Sequence, residues 1–88
     1  MLRITRLDGH KKATVLRLEG RLTHGDLIEL RAILAACLAA NRRVVIDLAG
    51  IGFLDKPGAA ALVAAERDDV ELIGASPFVR ELLQEVAS

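Results

Sequence analysis

Two short segments carry the side chains that could do chemistry. One is Thr23-His24-Gly25-Asp26. The other is Asp55-Lys56-Pro57-Gly58, which closes a glycine-bearing stretch beginning at Ala49. A carboxylate, an imidazole and a hydroxyl in mutual reach can serve acid/base work or activate a nucleophile. The sequence offers little to complete such a set. The other candidates are Asp47 and His10. Asp47 sits inside an apolar run, where its carboxylate suits a neighbouring backbone amide or a loop anchor. His10 lies beside Lys11 and Lys12 in a polar turn and reads as solvated. No HExxH, no second clustered carboxylate and no GxSxG occurs, so neither a catalytic set nor a metal site is expected. Gly50-Ile51-Gly52 is not a dinucleotide fingerprint, because Asp55 stands where the third glycine would fall. No Lys-Ser/Thr pair completes a phosphate loop either, and no cofactor is expected. The one cysteine, Cys37, falls on the apolar stripe of a predicted helix and reads as core filler. Alone it excludes an intramolecular disulfide and a multi-cysteine zinc site.

The second segment contains a local anomaly. Pro57 marks the first turn of a helix. Asp55 suits the positive end of that helix's dipole, whereas Lys56 opposes it, each effect being worth about 0.3–1 kcal/mol. A cation set against a local rule without visible compensation points either to function or to a merely solvated connector.

The elements that must hold these segments follow from hydrophobic periodicity. Leu2, Ile4 and Arg6 alternate with Arg3, Thr5 and Leu7 in a half-buried strand. After the turn Asp8 to Lys12, a second strand over 13–19 places Thr14, Leu16 and Leu18 on one face, and the two form an antiparallel hairpin. Gly20 is expected to end that strand. Thr23 caps a helix running to about Ala40, with Asp26 reaching back as in a capping box. Leu27, Leu30, Leu34, Cys37 and Leu38 make its apolar stripe. Val44 to Leu48 is a central strand, and Ala49 to Gly58 the loop after it. A second helix runs from near Pro57 to about Arg67, a last strand covers 70–73, and Ser76-Pro77 starts a third helix with Phe78, Leu82 and Val86 on one stripe. The class is α/β, in the order β-β-α-β-α-β-α. It implies a mostly parallel four-stranded sheet with an antiparallel first strand at the edge and helices mainly on one face. In such sheets function gathers at the carboxyl ends of the parallel strands, where both segments lie.

Bulk properties narrow the field. The 88 residues read as a single domain, 1–88, with a radius of gyration of about 12 Å. Apolar residues make up 52%, enough for a core, but the only aromatics are Phe53 and Phe78. Base stacking on nucleic acid needs exposed rings, so that function is not expected. Twelve basic and twelve acidic residues cancel, which leaves no electrostatic footprint for nucleic acid or anionic lipid. The longest apolar run, Ala32 to Ala40, has nine residues, against about 20 for a membrane span, so direct membrane insertion is not expected. The opening residues lack a signal-peptide pattern. The expected setting is the cytoplasm.

Three runs together resemble a known family: Arg17-Leu18-Glu19-Gly20-Arg21-Leu22; Val44 to Leu54 followed by Asp55-x-x-Gly58; and Leu72-Ile73-Gly74-Ala75-Ser76-Pro77-x-Val79-x-x-Leu82-Leu83. They resemble a STAS domain, the module of anti-sigma factor antagonists and of sulfate-transporter tails. In the antagonist branch the motif is Asp-Ser-Ser/Thr-Gly, and a partner kinase phosphorylates the serine after the Asp. Asp55 and Gly58 match that motif. Lys56 stands at the serine position and Pro57 follows it, so phosphorylation there is chemically impossible. Thr23 sits where many members carry an Asp.

The resemblance implies a non-catalytic protein-protein interaction module whose contact residues are Thr23, His24, Asp55, Lys56, Pro57 and Gly58. Its partner would be an anti-sigma factor or kinase-like protein, with no phosphate switch. The alternative is a STAS-type accessory subunit docking on the cytoplasmic ATPase of a lipid or anion transporter. A small carboxylate enzyme built on Asp55 and His24, or a nucleotide-binding domain, is the third reading.

Overall fold

The computed structural model describes residues 1–88. The chain opens with β1 (Leu2–Asp8) and β2 (Ala13–Leu22), paired antiparallel with Ile4 opposite Leu18 and Asp8 opposite Thr14. Lys11 and Lys12 turn the hairpin, both at positive φ, as tight hairpins of right-handed twist require. β3 (Arg43–Leu54) and β4 (Glu71–Ile73) follow, and the sheet order is β1-β2-β3-β4. The β2–β3 and β3–β4 pairs are parallel. The expected architecture holds, including the antiparallel edge strand.

Helices α1 (Leu27–Ala39) and α2 (Lys56–Arg67) are the crossovers between parallel strands, and α3 (Pro77–Ala87) ends the chain. Burial shows which face they cover. Thr14, Leu16 and Leu18 of β2 and Val44, Ile46 and Leu48 of β3 are buried, while the alternate Val15, Arg17, Val45 and Asp47 are not. The buried set forms one core with Leu30 and Cys37 of α1, Ala59 and Leu62 of α2 and Val79 of α3. Cys37 is thus core filler, as its stripe implies.

Two expectations about the strands need correction. Gly20 does not end β2. It adopts φ +100, and the strand passes through it to Leu22. A Cβ there would lie 2.3 Å from the Met1 carbonyl oxygen, so only glycine lets the chain continue. Ala49 to Leu54 is consequently not a loop. The lengthened β2 offers it a partner, and β3 runs on to pair Leu54 with Leu22 across two register shifts. The connector shrinks from ten residues to Asp55.

Two apolar side chains also sit differently. Leu38 is 41% exposed and Phe78 50% exposed, although both fall on apolar stripes. In α3 the buried anchor is Val79. Ser76 caps α3 as expected, its Oγ accepting the Val79 N–H at 3.2 Å. Asp47 braces β3 at its first register shift against β2, its Oδ1 accepting the Ala49 N–H at 2.9 Å.

At the hairpin end of the sheet, buried Thr14 donates its hydroxyl to Asp8 Oδ1 at 2.9 Å and accepts from Arg42 Nε. Arg6 Nε also donates to Asp8 at 2.9 Å. These partners, Arg6 first and Thr14 next, hold the Asp8 carboxyl below the usual carboxylate range. A depressed folded value means that the contribution to stability is complete above the unfolded pKa of about 3.9. It is lost as pH falls through the folded value. Urea midpoints should therefore decline from about pH 4 downward, and Asp8→Asn should flatten that decline. An acid limb identical in the two proteins would contradict this assignment.

Candidate functional site

Leu22 and Leu54 are neighbours at the ends of two parallel strands, so the connections that follow them leave the sheet side by side. After β2 the chain makes one 3₁₀ turn, His24–Asp26, before α1. Thr23 gives both its N–H and its hydroxyl to Asp26 Oδ2, at 2.9 and 3.1 Å. That is the back-reaching half of the expected capping box.

After β3 the turn is a single residue. Asp55 is the N-cap of α2, and its Oδ1 accepts the Gly58 N–H at 2.8 Å. Its Oδ2 accepts the His24 N–H at 3.0 Å, and its own N–H donates to the Leu22 carbonyl at 3.2 Å. One carboxylate thus caps a helix and ties it to the other connection. Burial alone would raise the Asp55 pKa. The Gly58 and His24 amides outweigh that effect and, with Asp55's own amide and the nearby His24 ring, hold the carboxyl below its ordinary value.

Gly58 is buried where α2 presses on β2. A Cβ at that position would stand 2.7 Å from the Leu22 carbonyl oxygen. Lys56 is exposed and forms no ion pair. It lines a shallow groove of about 170 Å³ with Leu82, Glu85 and Val86 of α3. Pro57 is exposed at the second helical position, where its missing N–H costs nothing.

The six residues singled out by sequence are therefore neighbours, but they divide. Asp55, Gly58 and half-buried Thr23 form the frame, while His24, Lys56 and Pro57 face outward. It is the His24 amide, not its ring, that meets the Asp55 carboxylate. No three His, Cys, Asp or Glu side chains converge anywhere in the chain.

Two exposed apolar side chains were not foreseen. Ile28 is 84% exposed in the first turn of α1. An isoleucine off the Leu27-Leu30-Leu34-Cys37 stripe was the available signal. Phe53 is 37% exposed at the end of β3, with the Arg21 guanidinium carbon 4.6 Å from its ring centre. Register shifts brought that pair together, and nothing in the sequence marks them.

A family described as "Mlab, STAS domain" matches residues 5–87. The chain belongs to the STAS family. The anti-sigma factor antagonist SpoIIAA, in its unphosphorylated form, superposes on this STAS domain with a TM-score of 0.77 at 19% identity. The match covers 93% of this chain and 82% of that one. An antisigma-factor antagonist STAS domain from Rhodobacter sphaeroides gives a TM-score of 0.64 at 23% identity, over 83% and 86% of the two chains. A protein from Shewanella loihica PV-4 with a SpoIIAA-like fold gives 0.62 at 20%, over 98% and 75%. At these identities the likeness is one of fold. Comparison of the STAS sequence with curated proteins gives no match.

Proposed function

We propose that this STAS domain, residues 1–88 acting as one unit, is a non-catalytic docking module of the cytoplasm. Its contact edge is Thr23, His24, Asp55, Lys56, Pro57 and Gly58, with Ile28 beside it. The observation that carries the reading is Lys56, an exposed cation at the tip of a helix whose N-cap is pinned to the neighbouring connection. In the antagonist branch, as the motif implies, a modifiable serine would stand there. Lys56 has no hydroxyl, so the edge presents a fixed positive charge and suits an acidic partner surface without a phosphate switch.

The geometry also favours docking over catalysis, because both Asp55 oxygens are committed to amides and its pKa is lowered, which makes a poor general base. No helix is long and apolar enough to cross a membrane. An anti-sigma factor or kinase-like protein is the first partner class. The ATPase of a membrane transporter is the second, favoured by the lost serine, since permanent docking needs no modification.

Lys56→Glu tests the reading. It is expected to weaken capture of the native partner by at least about tenfold, the equivalent of about 1.4 kcal/mol. The same change places an anion at a helix N-terminus and should stabilise the fold by about 0.3–1 kcal/mol. Loss of binding then cannot be blamed on unfolding. Mass spectrometry of the captured protein separates the two partner classes. Unchanged affinity, or recovery of neither class, would overturn the proposal.

A further inference from the structure

The helical layer is open between α1 and α2. A groove of about 320 Å³ separates them. Its floor includes Leu34, Ala61 and Ala65, and Ala35, Leu38 and Ala64 stand exposed on its walls. This is where Leu38, an apolar-stripe residue by sequence, remains 41% exposed.

Two charges line the same groove, Arg31 and Asp68. Both helices cross back between successive parallel strands and so run in the same direction. Arg31 lies about 6 Å along α1 and Asp68 about 18 Å along α2, at a rise of about 1.5 Å per residue. They therefore occupy opposite ends, and neither joins an ion pair within the chain. Ala35 and Ala64 fall about 12 Å along their helices, at the midpoint between the two charges.

We infer that this groove is the face on which two copies of the chain pair. A two-fold axis lying in the contact plane and crossing both helices at Ala35 and Ala64 lays each helix antiparallel on its own copy and brings each copy's Arg31 to the end of the groove that holds the other's Asp68. A cation at one end and an anion at the other make the face complementary to itself. The two alanines at the axis let the helices approach closely, and each Leu38 leaves solvent. The chain carries no net charge to oppose association. A stable interface takes about 800 Å² per copy. That is about a seventh of the 5492 Å² this chain exposes.

Sedimentation of the 88-residue chain over a range of concentrations is expected to show a monomer–dimer equilibrium. Arg31→Asp alone and Asp68→Arg alone should each weaken it about tenfold or more by facing like charges. The two together should restore it to within about threefold, because the pair is re-formed with its signs exchanged. Ala64→Arg, on an exposed wall, should abolish it while the unfolding midpoint stays unchanged, and Ala35→Arg provides a second such variant. A chain that stays monomeric to about 0.5 mM overturns the inference, since that excludes any useful affinity. So does a dimer indifferent to the charge exchange. Lys56→Glu should leave the dimer intact, so failure here and failure of the docking proposal are read separately.

Discussion

Asp55→Ala is expected to lower the free energy of unfolding by about 2 kcal/mol at neutral pH. An N-cap is worth about 1 kcal/mol, and a hydrogen bond to a charged acceptor adds a comparable amount at a partly exposed site. The first is the bond from Gly58, the second the bond from His24. Asp55→Asn keeps one acceptor oxygen and should lose about half as much. The pH dependence has a definite sign. Because the folded pKa is lowered, the carboxylate's contribution is complete above about pH 4 and fades as pH falls through the folded value. Variant and parent should therefore converge in acid. Urea titrations at pH 7 and in acid would show this. A gap of constant size at both would mean that Asp55 acts by shape and not by charge.

Gly58→Ala should be comparably severe, also about 2 kcal/mol, for a different reason. The new methyl would meet the Leu22 carbonyl oxygen at 2.7 Å, Asp55 Oδ1 at 3.1 Å and Leu22 Cγ at 3.2 Å. That carbonyl is held in place by the Asp55 N–H and cannot withdraw without giving up a bond. Overpacking costs about 1–3 kcal/mol, and the better helix propensity of alanine returns at most about 1. Gly52→Ala is the control, because a Cβ there meets nothing within 4 Å. It should fall within about 0.5 kcal/mol of the parent. Thermal or urea unfolding compares the two, and equal stabilities would refute the close-approach argument.

Much of this fold could be read from periodicity and punctuation. The alternation in the hairpin, the helix starts at Pro57 and at Ser76-Pro77 and the continuous apolar run at Val44 to Leu48 placed every element in order, and the helical crossovers gave the parallel pairing. What escaped was nonlocal. Gly50 and Gly52 look like loop residues, yet β3 runs on through both, because β2, lengthened through Gly20, pairs Gly20, Arg21 and Leu22 with Ile51, Phe53 and Leu54. Leu38 lies on an apolar stripe by sequence, yet its exposure depends on how far α1 stands from α2. The bond from His24 to Asp55 spans 31 positions of sequence. Sequence brought the six candidate residues to one edge but could not tell frame from surface, because that depends on which atoms the carboxylate oxygens face.

The division of labour at this edge has an evolutionary consequence. At the start of α2 Asp55 accepts the N–H groups of Gly58 and Ala59, and the close packing is secured by Gly58. The residue between the cap and the proline holds nothing together. Such a position drifts at little thermodynamic penalty, so under the proposed docking a lineage can exchange one recognition chemistry for another on an unchanged scaffold. Under the docking proposed above, specificity is a replaceable part, and Lys56 is where a designer would begin to retarget the module.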